Sequence, residues 1–475
     1  MAEQVDREEG AQPGAPGRRL AGENLTLSVT PSQLQISGPV DFSGVPVSGS
    51  WTLPLGQPGA GSRVDGTLTL SAQSLAALGI ALPPGMVSGS GPADLTLDLA
   101  RGQAPRFALG SDLAGLGLSL PQIGWSLSQG GTGTLEVEGR LSSPVSVDRL
   151  ALKAAGLDAA GSLALDGSGQ FRSLTLPRLR VGGWLDASAV LSARGRGAAP
   201  AVRLTSGRLD MRRAPFGTGG GGSGGAGGGG PITVDLDRLD ITDTMYLTAF
   251  KGAFQSNGGL DGSFEARVGG TAPIKGRIIP QHGRSAIRLQ SRDAGDVLAG
   301  AGIFRNVQDG TFDLTLIPVQ GRAGEYDGAL EIEGARLKNA PAITGLLDAV
   351  SVVGLIDELN GSGLFFSEVE ARFRLTPQQV IVSRSSAVGP SMGISMDGYY
   401  NLGSRTMDMQ GVLSPVYIIN GIGRLFARKG EGLIGFNFNL AGPVDAPRTS
   451  VNPLSVFTPG MFRDIFRRPP PSVTQ

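Results

Sequence analysis

The chain has 475 residues and no formal net charge, 41 basic against 41 acidic side chains, with 76 Gly, 31 Pro, one His and no Cys. Balanced charge speaks against a nucleic-acid partner, which requires a basic face. The lack of Cys excludes disulfides, thiolate metal sites and a Cys nucleophile, and the single His282 leaves no multi-His centre. These counts argue against an enzyme and against a bound cofactor.

Residues 1–22 are polar and rich in Gly and Pro, without the apolar core of a signal peptide, and read as a disordered N-terminus. From Asn24 onward, short runs alternate apolar and polar residues. Leu25, Leu27 and Val29 share one face, and the pattern returns at Leu95, Leu97 and Leu99 and at Leu135 and Val137. It continues at Val234 and Leu236, at Leu314 and Leu316, at Phe373 and Leu375, and at Phe436, Phe438 and Leu440. A period of two puts each set on one face of a strand, so the chain reads as mostly β, built of half-buried antiparallel strands.

Gly217 to Gly230 is glycine apart from Thr218, Ser223 and Ala226, and reads as a flexible linker or long surface loop. It separates a β-rich repeat region, residues 23–213, from a second β region at 231–455, with the linker itself at 214–230. Short helices are expected near Ala72 to Leu78, Asp293 to Ile303, Ala342 to Leu359 and Val416 to Ala427. Asp293 stands where a carboxylate would cap free N–H groups, which explains Asp293, Asp296 and Asp309 without a metal. In residues 456–475, Thr458 and Pro459 open an amphipathic helix that Pro469 to Pro471 ends. Met461, Phe462, Ile465 and Phe466 form its apolar side, suited to a membrane interface or to capping the sheet.

Gly389-Pro390-Ser391-Met392-Gly393 matches the nucleophile pattern G-x-S-x-G. The residues after it, Ile394 to Gly398, alternate as a strand instead of opening a helix, and only His282 could act as base. The segment is therefore read as a tight β-turn.

Several segments resemble the AsmA-like superfamily, specifically the C-terminal region of its YhdP-type members. Ser111 to Pro121 is similar to the family's DLxGLxLxLP segment. Ser291 to Leu298, followed by Gly302-Ile303 and Asp309-Gly310-Thr311, is a second match. Val388 to Gly398 and Val451 to Ser455, with the amphipathic tail behind them, complete the series over most of residues 90–468. The resemblance implies an elongated antiparallel sheet rolled into an open, apolar groove with a few capping helices. It also implies a place in the periplasm of Gram-negative bacteria, associated with the inner membrane, and non-enzymatic carriage of phospholipid towards the outer membrane. The family's N-terminal anchor helix and early β-region have no counterpart here, so the chain is expected to be a C-terminal portion of such a protein, the alternative being that it works beside another subunit.

Under that resemblance, the apolar positions of the alternating strands are the expected lining of the groove, and phospholipid acyl chains are its expected partner. The tail helix would touch the inner- or outer-membrane surface. Burying one methylene is worth about 0.8 kcal/mol, so a 16-carbon chain drawn bare into water loses roughly 12 kcal/mol. A lipid crossing water therefore needs a continuous apolar track, and one-faced strands about 4.8 Å apart supply one. A charge at Leu236 or Leu314 is expected to block that track. The competing reading is an extracytoplasmic structural or adhesion protein whose apolar faces pack into a closed core.

Overall fold

Alternating apolar and polar residues satisfy a strand with one dry face, and the computed structural model of the chain carries that pattern from end to end. It describes residues 20–22, 24–57, 59–80, 82–215, 229–256, 259–281, 283–350, 353–415, 435–444, 446–452, 454–455, 468–469 and 471. Among these are 28 strands and four α-helices, so the protein is mostly β. The sheet is open and does not close into a barrel. The chain divides into two compact units, Met1–Gly183 with Ala189–Ser192, and Trp184–Ser188 with Ala193–Gln475. The strand Leu185–Ser192 falls at the division.

The first unit is an antiparallel meander in which nearly every strand pairs with the next in sequence. Ten strands, from Thr26–Val29 to Phe171–Val181, form its main ladder. Helix α1, Ala72–Ala77, is entered through a capping box at Ser71 and Ser74. The early part of the long strand Val87–Leu99 also pairs with Leu116–Leu120, which pairs in turn with Trp125–Leu127. This small flap buries Leu116, Trp125 and Leu127, and the Trp125 indole N–H donates to the Ala155 carbonyl at 2.8 Å.

The second unit has fourteen strands, from Ala201–Asp210 to Arg448–Asn452. All its pairs are antiparallel except the first, where Ala201–Asp210 and Ile232–Asp240 run parallel. The sequence reading expected only antiparallel strands and took the Gly-rich stretch as a divider. The strands on either side of it are direct neighbours in one unit. Residues 216–228 themselves lie outside the described residues, as do residues 1–19 of the expected N-terminal tail, His282 and the helix at Val416 to Ala427; residues 20–22 of that tail, expected to be disordered, form a strand paired with Val40 to Phe42.

Charge secures the parallel pair. Asp210 and Asp240 are cross-strand partners, each only 3% exposed. Arg212 donates to Asp210 from Nε at 2.8 Å and from Nη2 at 2.6 Å, and Asp240 accepts from Arg238 Nε at 2.8 Å and from Arg208. Two buried carboxylates side by side are tolerated because each holds its own guanidinium.

Helix α2, Ala294–Gly300, begins at Asp293, whose carboxylate accepts from the Asp296 N–H at 2.9 Å, as the sequence suggested. The single helix expected at Ala342 to Leu359 is two: α3, Pro341–Ala349, and α4, Val353–Asn360. Their apolar sides meet, burying Leu346, Leu347, Leu355 and Leu359 against Leu364, Phe366, Ile394, Leu413, Phe438 and Leu440 of the sheet. This hairpin caps the last strands of the second unit on their apolar face. The turn at Gly389 to Ser391 closes with the Gly389 N–H donating to the Met392 carbonyl at 2.9 Å, and Ser391 Oγ is bonded to Glu358 of α4 at 3.1 Å. That serine anchors the helical hairpin; it is no nucleophile elbow.

Candidate functional site

Register decides what alternation alone leaves open, namely whether apolar positions of neighbouring strands line up. In the second unit they do, in two adjacent rows. The first starts at Leu204 and Val234 and passes through Gly252, Phe264, Gly276 and Leu289. It continues through Leu314, Leu330, Ala371, Ser385, Met396, Gly411, Phe438 and Val451. Its one polar member, Ser385, donates its hydroxyl to the Met396 carbonyl at 2.8 Å and so presents no free donor.

The second row, two residues away along each strand except at the bulge between Val382 and Ser385, starts at Val202, Ile232, Phe254, Gly262, Ile278 and Ile287. It runs on through Leu316, Gly328, Phe373, Val382, Gly398, Met409 and Leu440, ending at Thr449. Fourteen strands at about 4.8 Å spacing make each row roughly 60 Å long, with the two rows about 7 Å apart. The flanking rows are broken by hydroxyls: Ser291 on one side and Ser285 on the other, each bonded to a backbone carbonyl.

Every aromatic in these two rows lies across a glycine of the neighbouring strand. A Cβ on Gly276 would overlap the ring of Phe264, and Gly262 stands in the same way to Phe254, Gly328 to Phe373 and Gly411 to Phe438. Each pair is a direct cross-strand partnership. The glycine has no side chain to pack, and the ring fills its place by lying along the sheet instead of standing up from it. The apolar surface is thereby kept low and smooth.

The first unit has its own row: Leu27, Ile36, Trp51, Val64, Leu97, Phe107, Gly139, Val147, Leu163 and Leu174. Here too the aromatic Phe107 covers its partner glycine, Gly139. Only Val147 and Gly139, the glycine beneath Phe107, are buried; Leu27 is 63% exposed and the rest are half-buried. In a closed sandwich the middle of such a row would be the driest part of the protein.

The opposite face of both units is charged and wet. Cross-strand ion pairs cover it, among them Arg149–Glu136 at 2.7 Å and Arg63–Asp98 at 3.5 Å in the first unit, and Arg277–Asp261 at 2.8 Å and Lys251–Asp235 at 3.2 Å in the second.

The residues singled out from sequence fall on the apolar face as follows. Val234, Leu314 and Phe438 are in the first row of the second unit, and Leu316, Phe373 and Leu440 in the second row; Val234 is buried, and Phe438 and Leu440 are covered by the helical hairpin, while Leu314, Leu316 and Phe373 are half-buried. Leu375 faces Tyr326 and Val380, and Phe436 faces Leu413 beside the helical hairpin. Leu97 belongs to the row of the first unit, Leu95 and Val137 to the row beside it, and Leu99 and Leu135 are half-buried opposite Ser62 and Ser111. Leu27 and Val29 are on the edge strand Thr26–Val29 and Leu25 just precedes it; they are 63%, 63% and 47% exposed. Leu236, only 1% exposed and paired with Phe250, is packed core and no part of an accessible surface. An Asp there would disrupt the fold, so Leu314 is the better probe. Met461, Phe462, Ile465 and Phe466 lie outside the described residues.

Sequence reasoning missed Phe254, Phe264 and their glycines, although a signal existed. The turn at Gly269 and Gly270 centres a hairpin on residue 270, which sets Phe264 opposite Gly276. Among the described residues no helix is long and apolar enough to cross a membrane. No family model matches the chain, and neither a curated protein nor a solved structure matches it.

Proposed function

We propose that this protein carries phospholipid without catalysis, holding acyl chains against the apolar rows of its open sheet while headgroups remain in water. The observation that carries the reading is the pair of rows through fourteen strands with no charged member and only two hydroxyls, Ser385, bonded to a backbone carbonyl, and Thr449 on the last strand. An acyl chain lying along a row keeps its methylenes out of water for the whole of its length, at about 0.8 kcal/mol each. Flat aromatics and mobile aliphatics offer no pocket that would trap it. Net dispersion and burial change little from strand to strand, which permits sliding.

The resemblance of four segments to the AsmA-like superfamily supports a setting in the periplasm, associated with the inner membrane, and a role in outer-membrane lipid homeostasis. The test is mass spectrometry of lipids that co-purify with the full chain, beside an unrelated β-protein. Several phospholipid molecules per chain are expected. A lipid-free, monodisperse protein would instead favour an extracytoplasmic structural or adhesion role.

A further inference from the structure

The apolar rows end differently in the two units. In the second unit the last strand, Arg448–Asn452, is short, carries Arg448 and has α3 packed beside it, as Thr449 lies 3.4 Å from where a Gly345 side chain would begin. Charge and cover of this kind keep an edge from pairing further. At residues 24–32, the edge of the first unit shows neither device among the described residues. Its edge is made of Leu20–Gly22 and Thr26–Val29, which pair in turn along one side of Gln33–Phe42, and no described residue pairs with the outer side of Thr26–Val29. Residues 24–32 contain no charged side chain, and the row of ten ends there at an exposed Leu27.

We propose that this edge pairs with the same edge of a second copy of the chain. An antiparallel ladder between two identical strands, related by a two-fold axis normal to the sheet, keeps each face of the sheet on its own side. Centred on residue 27, it sets Leu27 against Leu27 and Leu25 against Val29, twice over. The three large apolar side chains most conspicuous at the edge thus become one another's cross-strand partners, with no like charges opposed. The unpaired N–H and C=O groups of the edge are satisfied in the same step. The apolar row of one copy then runs into that of the other, twenty strands and roughly 90 Å in all. This inference stands on the edge itself and holds whether or not the rows carry lipid.

The chain's lack of cysteine makes the test direct. In Leu27→Cys, the two thiols of a pair meet across the axis within disulfide range, so mild oxidation yields a covalent dimer. Phe171→Cys, an exposed position at the far end of the same ladder, is the control and stays monomeric. Light scattering of the unmodified protein is expected to give twice the monomer mass. Leu27→Lys and Leu27→Glu should each halve it, and an equimolar mixture of the two should restore it. Position 27 is exposed, so circular dichroism of these variants should be unchanged. A monomer at high concentration, or cross-linking of Leu27→Cys no faster than the control, overturns the proposal. A monomer that binds a short alternating β-peptide at this edge also overturns it, and assigns the edge to another partner.

Discussion

A phenylalanine laid over a glycine couples two residues that neither composition nor alternation connects. At Phe264 and Gly276 the ring occupies the place of a side chain, so Gly276→Val must push it off the sheet. Overpacking of this sort costs about 1–3 kcal/mol. In the double variant with Phe264→Ala, the space is free again and part of the loss should return. Urea unfolding of the four members of that cycle should give a coupling of about 1 kcal/mol or more, and strict additivity would mean that the ring does not lie there. Charge at the parallel pair gives a second test at this scale. The hydrogen bond from Arg212 holds the Asp210 carboxyl at about 2, well below its ordinary 3.8. Burial pushes Asp240 up, and hydrogen bonds from Arg238 and Arg208 outweigh it, leaving that carboxyl below its ordinary value as well. A lowered folded-state pKa stabilises above the unfolded value and is lost as pH falls through the folded one. Stability should therefore drop between about pH 4 and pH 2, and Asp210→Asn should make that acid limb shallower while lowering stability at neutral pH.

Among the elements, the helices were legible where a local signal marks them. Asp293 caps α2 because a carboxylate at that position meets an unsatisfied N–H, and Asp293→Ala should cost about 1 kcal/mol in chemical denaturation. The α3–α4 hairpin was read as one helix, because apolar spacing continues from Ala342 to Leu359 and nothing in periodicity reports a change of direction. What the spacing did convey is that this segment buries an apolar side against the sheet. Leu347, fully buried between hairpin and sheet, should cost about 2–5 kcal/mol when cut to Ala, depending on how far the site collapses. The strands were legible for the opposite reason: a period of two is a property of each strand alone. Their partners were not, since pairing depends on turns and crossovers. The parallel pair at Ala201–Asp210 and Ile232–Asp240 is the clearest instance, because a glycine tract looks the same whether it joins neighbours or separates domains.

For the molecule as a whole, an outer face that pairs opposite charges between strands uses both signs, in keeping with its 41 basic and 41 acidic side chains. These pairs are about half exposed and individually worth little, so they keep the outer face wet more than they hold the fold together. The sequence thus conveyed that one face is apolar and the other charged, while the continuity of the apolar face depended on a register that only the folded chain displays. That continuity can be broken at one point. Leu314 sits in the middle of the first row of the second unit, half-buried, with Leu289 and Leu330 as its cross-strand neighbours. An aspartate there places an unpaired charge where a lipid methylene would lie, and desolvating it costs more than one contact can return. Ser263→Asp adds the same charge to the outer face, opposite Arg277, and serves as its counterpart. Both variants should keep the β-rich circular dichroism of the parent. Ser263→Asp should retain its co-purified phospholipid, and Leu314→Asp should lose at least half. A folded Leu314→Asp protein with undiminished lipid would show that acyl chains do not lie along this row, and the carriage proposed here would fail with it.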